Sequence, residues 1–235
     1  MFSRSARLYD AIYSFKDYGE EAAGVHELIQ ARKSGAATLL DVACGTGLHL
    51  AELRRWYRCE GIDVDPNQLE IARERLPDVE LHEADMRDFD LGRRFDAVTC
   101  MFSSIGYVRG TDELRQAIAT MARHLEPGGV LVVEPWLSPD RIQVPYVGAV
   151  FVDEPALKVA RINAVEVAGN RSIMEMHYLV GRPDGVEHFT ERHELALFRD
   201  EEMLDAFRAA GLAVEHDHEG GPMGRGLYIG LAPAG

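Results

Sequence analysis

Positive charge is in short supply in this chain. Its 235 residues carry 25 Lys and Arg against 39 Asp and Glu, a formal net charge of −14. No basic stripe is available for counterion release from a phosphate backbone, which argues against nucleic acid as a partner. A single nucleotide diphosphate stays open, because one or two arginines can hold it. Cysteine is scarce too. Cys44, Cys59 and Cys100 are an odd number in mostly apolar surroundings. They read as buried free thiols in a reducing compartment, not as a disulfide frame or a metal site. No apolar run reaches membrane-spanning length, and the N-terminus lacks the apolar core of a signal peptide. A cytosolic protein with no membrane partner is the expectation. What is present, 46% hydrophobic and 27% charged residues, suits a globular enzyme, and the length suits one α/β domain spanning 1–235.

The stretch that organises the chain is Leu39-Leu40-Asp41-Val42-Ala43-Cys44-Gly45-Thr46-Gly47. Leu39, Leu40, Val42 and Ala43 form a short apolar run, as in a central strand of a parallel sheet. Gly45 and Gly47 let the backbone turn and approach a ligand closely. Leu50, Leu53 and Trp56 then recur at helical spacing. A dinucleotide fingerprint wants a small residue three positions after Gly47, and Leu50 stands there. Asp41 beside the turn repels a phosphate and suits an ammonium or sulfonium. The glycine turn with its upstream Asp resembles the first motif of class I S-adenosylmethionine (SAM) methyltransferases.

Further along, Cys59-Glu60-Gly61-Ile62-Asp63-Val64 reads as a second strand. A carboxylate at its end, Asp63, suits two ribose hydroxyls. Asp65 and Pro66 supply an N-cap and a first helical residue. Val79 and Leu81 alternate with polar residues in a third strand, followed by Asp85 and Met86. There a carboxylate would accept from an adenine amine and a thioether would pack on its ring. Phe95 to Phe102 is the fourth strand, and Ser103-Ser104-Ile105-Gly106-Tyr107 follows at the sheet edge where ligands bind. A helix over 112–124 and a Pro127-Gly128-Gly129 turn lead to a fifth strand, Val130 to Glu134.

The pattern before and after this core differs. Residues 1–37 read as helical, interrupted at Lys16-Asp17-Tyr18-Gly19 with a second helix through Val25, Leu28 and Ile29, and Tyr9, Tyr13 and Tyr18 form an aromatic set suited to a lid. Residues 146–198 alternate apolar and polar, an antiparallel insertion with a hairpin turn at Arg182-Pro183-Asp184-Gly185. A helix over 200–210, a strand near 212–216 and a last strand, Gly226 to Leu231, close the sheet as a hairpin. Arg225, flanked by glycines, is placed for a bidentate phosphate contact.

Leu40 to Gly47, Asp85 to Phe89, Ala97 to Gly106, Val132 to Trp136 and Gly220 to Gly226 together resemble the TDP-amino-deoxysugar N,N-dimethyltransferases of antibiotic pathways. The resemblance covers nearly the whole chain. It implies a Rossmann-like, mostly parallel sheet with a C-terminal antiparallel hairpin and an antiparallel insertion after the fifth strand. It implies SAM as cofactor, held by Asp41, Ala43, Gly45, Gly47, Asp63, Asp85, Met86 and Met101, and no metal. It implies an acceptor site that includes Tyr9, Tyr13, Ser103, Ser104, Tyr107 and Arg225, and a homodimer. Two departures stand out. Tyr107 replaces a His usual in the family, and Phe2 stands where a Tyr is common.

The implied chemistry is an in-line attack of a neutral amine on the SAM methyl carbon. Positioning of this kind supplies up to roughly 7–11 kcal/mol. A sugar amine is largely protonated at neutral pH, so a proton must leave first. Tyr107, or one of His177, His188 and His193, is the candidate acceptor, with His177 placed beside Tyr107 as catalytic. Transfer to another small-molecule amine or hydroxyl, and a catalytically silent SAM-binding protein, are the alternative readings.

Overall fold

The computed structural model describes residues 4–235. A 3-10 turn at Ala6–Leu8 is followed by α1 (Tyr9–Ile12), α2 (Tyr18–Arg32), β1 (Thr38–Val42), α3 (Leu48–Leu53), β2 (Arg58–Asp63), α4 (Pro66–Arg75), β3 (Glu80–Glu83) and β4 (Phe95–Cys100). A second 3-10 turn, Ser104–Tyr107, leads to α5 (Thr111–Arg123), β5 (Leu125–Val133), β6 (Tyr146–Glu154), β7 (Leu157–Ala168), β8 (Arg171–Arg182), β9 (Gly185–Ala196), α6 (Asp200–Ala209), β10 (Ala213–Asp217) and β11 (Leu227–Leu231).

One sheet runs β10-β11-β5-β4-β1-β2-β3. β11 runs opposite to β10 and β5 on either side of it, and the other pairs are parallel. Every residue of β1 is buried, because helices cover both faces. Leu39 packs with Val25, Ile29, Leu50 and Leu53, while Leu40 and Val42 pack with Leu114, Ile118 and Phe207. That alternation follows from the two-residue period of a strand. The strand order reverses between β1 and β4, so a crevice opens beyond their carboxyl ends.

Local chemistry sets the helix starts. Asp65 accepts from Asn67 N at 3.0 Å, with Pro66 at the first position of α4. Asp17 accepts from Glu20 N at 2.9 Å. This cap starts α2 at Tyr18, so the helical 1–37 segment divides into a short lead and one long helix. Trp56 leaves the face expected of it: α3 stops at Leu53, and the indole stacks on His26 at 4.5 Å.

The insertion is a meander, β6-β7-β8-β9. Its inner face sets Val159, Met174, Met176, Tyr178 and Phe189 against Leu8 and Ile12. The N-terminal segment is thereby clamped between the two sheets. The outer face leaves Val147, Phe151 and Val186 about 70% exposed.

Gly47 does not reach the cavity that its neighbours line. Its N–H donates to Cys44 O at 3.0 Å, its φ is +77°, and an added Cβ would meet Leu76 Cδ1 at 2.9 Å and Ala72 Cβ at 3.3 Å. The residue is glycine because α4 passes behind it. Gly47→Ala should therefore cost about 2–4 kcal/mol of stability, from the left-handed backbone and the overpacking. Urea unfolding measures this, and ligand affinity of the folded fraction should stay near that of the parent.

Candidate active site

Three spaces meet at the crevice. The first, about 260 Å³, is lined by Ala43, Gly45, Asp63, Gln68, Asp85 and Met86, with Tyr9, Ser104 and Tyr107 at its inner end. Asp63, at the end of β2, accepts from Gly45 N at 2.9 Å and Asp65 N at 2.8 Å. Burial pushes its carboxyl up, and these backbone donors oppose the shift. A carboxylate has about four acceptor positions, so two remain for vicinal hydroxyls. Gln68 is 3% exposed, and its Oε1 has no hydrogen-bond partner among the described residues. An unpaired buried carbonyl is costly, and this one faces the glycine turn, 3.2 Å from the position of a Cβ on Gly45.

Asp85 is more committed than its sequence context suggests. Arg87 binds both its oxygens, at 2.9 and 2.6 Å, and also engages Glu113 at 2.9 Å. These bonds hold the Asp85 carboxyl below the usual range. An amine can share its remaining lone pairs but does not have the group to itself.

A narrow slot continues from this space past Asp41, Thr46, His49, Met101 and Tyr18. Asp41 is buried and accepts from Thr99 Oγ1 at 2.8 Å. Burial raises its pKa to about 6, with His49 and the Thr99 bond holding it back. The Tyr18 hydroxyl beside it is buried without a hydrogen-bond partner among the described residues. Carboxylate, slot and unpaired donor suit a small cationic end on an elongated ligand. These donors and acceptors fit S-adenosylmethionine: Asp63 for the ribose, Met86 and Asp85 for the adenine, Asp41 for the cationic tail.

The third space, about 470 Å³, lies between the crevice and the inner face of the insertion. Tyr9, Tyr13, Ser103, Ser104, Tyr107 and Arg225 all line it. The Arg225 side chain donates to Ser103 Oγ at 2.7 Å and lies 4.3 Å from the Trp136 ring centre. Burial lowers its pKa, and the Glu134 carboxylate opposes that. Ser103 itself donates to Pro135 O at 2.7 Å, so its hydroxyl is spent on aiming the guanidinium. Phe102 and Ser103 are both left-handed, with φ of +52° and +65°, a conformation that costs about 1–3 kcal/mol per residue. Phe102 N donates to Glu134 at 2.7 Å, which helps to hold the bend.

Two further guanidiniums line this space: Arg161 and Arg141. Arg161 is 8% exposed and donates to Tyr13 OH at 2.9 Å. Its inward aim is legible in β7, where it shares the buried set with Val159, Asn163 and Val165. Arg141 sits in a loop and donates to the carbonyls of His218, Gly224 and Arg225. No periodicity marks such a position. Three cations around an apolar, aromatic space suit a diphosphate ester with a small ring attached.

Tyr9 and Ser104 border all three spaces, which places them where two ligands would touch. Tyr107 borders the first and third, and its hydroxyl is 2.8 Å from His193 Nδ1. His193 Nε2 lies 3.6 Å from Glu191. Glu191 in turn accepts from Arg4 N and Ser5 N at 3.1 Å and from Ser5 Oγ at 2.6 Å. Burial works against the Glu191 charge, but the bonds from His193 and Ser5 bring its pKa down to about 2. Burial pushes the Tyr107 phenol up, so it stays protonated.

His177 belongs elsewhere. It stands on the outer face of β8, half exposed, stacked on His188 and 3.0 Å from Glu175. The alternation of β8 and β9 turns His177 and His188 away from the cavity and turns His193 toward it. Tyr18 lines the slot together with Tyr9, whose ring centre is 4.6 Å from that of Tyr13. Phe2 lies outside the described residues.

A family model described as a methyltransferase domain matches residues 39–129. A dTDP-3-amino-3,4,6-trideoxy-alpha-D-glucopyranose N,N-dimethyltransferase of Streptomyces venezuelae is 46% identical, covering 96% of this chain and 97% of its own. The crystal structure of Streptomyces venezuelae DesVI superposes with a TM-score of 0.93 at 47% identity, covering 97% and 98% of the two chains. The SAM-bound structure of CalS10, an amino pentose methyltransferase of Micromonospora echinaspora, gives 0.88 at 41% identity, covering 98% and 97%.

Proposed function

The chain belongs to the SAM-dependent N,N-dimethyltransferases of dTDP-amino sugars, and from that premise we propose how its residues share the work. The observation that carries the assignment is the meeting of a carboxylate-lined cofactor space and an arginine-lined acceptor space at Tyr9 and Ser104. When bound, SAM supplies an activated methyl group for displacement by an amine. Asp63, Met86 and Asp41 orient the adenosyl and amino-acid parts. Arg225, with Arg161 and Arg141, holds the diphosphate of the acceptor and presents its sugar toward Tyr9. Trp136, Met174 and Met176 exclude water from the transfer.

The amine proton leaves through Tyr107. The phenol accepts it while passing its own proton to His193 Nδ1, and Glu191 balances the resulting imidazolium. Tyr107 touches the acceptor space, whereas His193 and Glu191 act through it as positioning and relay residues. Incubation with SAM and a dTDP-3-amino-trideoxyhexose, followed by product mass, tests the whole assignment. A gain of two methyl groups supports it. An unchanged sugar, with S-adenosylhomocysteine still bound, overturns the acceptor while leaving the cofactor site standing.

Asp41 gives the cofactor step a pH dependence. Its folded-state pKa of about 6 lies above the value of about 3.9 for a free Asp, so the uncharged form is favoured until the pH exceeds 6. A bound cation favours the charged form. SAM affinity should therefore fall as pH drops through 6, by up to about tenfold per unit. Asp41→Asn should bind more weakly at pH 7.5 and lose that component. Calorimetric titration at several pH values would show it.

We also propose a homodimer through the outer face of the insertion. Val147, Phe151, Ile162, Leu179 and Val186 expose 47–72% of their surface there. These apolar side chains share the face with His177, His188 and Glu175, and together they offer a second copy a mixed patch. Light scattering at micromolar concentration tests this, and a monomer mass refutes it.

A further inference from the structure

We propose that Asp200, His216 and His218 form a binding site for a divalent transition ion of the zinc class, at the root of the loop that carries Arg225. The sequence leads to the expectation of no metal, because no cluster in it has metal-ligand spacing. Topology brings the three together: α6 begins at Asp200, and β10 ends beside it, flanked by the two histidines. Their donor atoms lie within 4.8 Å of one another.

The geometry is close to a ligand set. Asp200 Oδ2 is 3.7 Å from His216 Nδ1 and 3.6 Å from His218 Nδ1. In a tetrahedral site with bonds of about 2.0–2.1 Å, donor atoms stand about 3.3–3.4 Å apart. Both distances from Asp200 are within a few tenths of an ångström of that spacing, and the two imidazole donors lie within 4.8 Å of each other, so the protein offers three corners and leaves the fourth to water. The acid is already oriented for this. Tyr228 OH donates to Asp200 Oδ1 at 2.8 Å, which leaves Oδ2 facing the imidazoles. The Tyr228 ring also stacks on His216, with centres 4.0 Å apart. Outer hydrogen bonds and packing of this kind fix the direction of metal ligands. The Arg141 guanidinium nearby opposes a cation, but its N–H groups point to the loop carbonyls.

Nitrogen and carboxylate donors in this number favour zinc, cobalt or nickel over calcium or magnesium, which prefer more oxygen ligands. The consequence for the enzyme lies in the loop 218–226. Arg141 Nη1 donates to His218 O at 3.3 Å, and Gly226 N donates to Gly220 O at 2.9 Å. An ion on His218 therefore pins the loop at the end opposite Arg225. Metal loading is expected to lower KM for the nucleotide sugar and to leave kcat near its metal-free value.

Zinc chloride is titrated calorimetrically into chelator-treated protein, with Co2+ absorption as a parallel readout. One equivalent should bind. His218→Ala, at an exposed position that the fold does not need, should weaken binding at least about tenfold and remove the cobalt bands. His82→Ala controls for the other cluster, Glu60, Glu80 and His82, and should change nothing. No saturable equivalent, or binding that survives His218→Ala undiminished, overturns the site. The binding readout needs no acceptor, so it stands apart from the assignment of the reaction.

Discussion

Asp63→Ala is expected to weaken the binding of S-adenosylhomocysteine by about 100-fold or more. The carboxylate lines the first space with Asp65 and Asp85 and accepts from the glycine turn at Gly45 N, and hydroxyl donors reaching it make charge-assisted bonds. Each such bond contributes about 1.5–3 kcal/mol. Losing two at the low end gives about 3 kcal/mol, or about 100-fold in affinity. The alanine also orphans Gly45 N and Asp65 N, which now donate to Asp63 at 2.9 and 2.8 Å, so melting temperature should fall as well. Calorimetry on the folded variant separates the two effects. Affinity within about threefold of the parent would mean that the ribose lies elsewhere.

The second large effect concerns the proton. Tyr107→Phe keeps the ring and removes the hydroxyl that stands 2.8 Å from His193 Nδ1. Positioned proton transfer contributes about 10²–10⁴-fold in favourable cases. Here the amine can also lose its proton to water before it binds, so a loss of about 10–100-fold in kcat near pH 7 is expected. The sign of the pH dependence distinguishes a relay from packing. As pH rises, more amine arrives uncharged, and the Phe variant should recover toward the parent. His193→Gln should show the same recovery with a smaller loss, because water can still serve the phenol. A uniform deficit at every pH would mean that Tyr107 only shapes the pocket.

Much of the sheet could be read from the chain because short apolar runs are bounded by turn residues and charges. Asp63 ends β2, Asp85 follows β3 by two residues, and Asp65-Pro66 announces the next helix. The antiparallel insertion was legible in its two-residue period, down to the Pro183-Asp184 turn between β8 and β9. The same period carried information on His177 and His193 that composition alone hides. Both sit in strands of alternating burial, and only the parity relative to Met176 and Phe189 separates the outward His177 from the inward His193. Gly47 looked like a cofactor contact because the motif does not show α4 behind it. Arg141 left no local signal, since its contacts depend on how loops lie across one another.

Both ends of the chain enter the acceptor space, Tyr9 and Tyr13 from the first turns and Arg225 from the connection before β11. The cofactor space, by contrast, is complete by Arg109. Synthesis runs from the N-terminus, and folding tends to follow it. A nascent chain thus holds every residue of its cofactor face by Arg109, and once β5 has followed, that strand offers an unpaired edge awaiting β11. The ability to receive a sugar arrives only with the last strand, whose insertion beside β5 both seals that edge and delivers the guanidinium. Maturation of the substrate site and protection against edge-to-edge aggregation are consequently a single event.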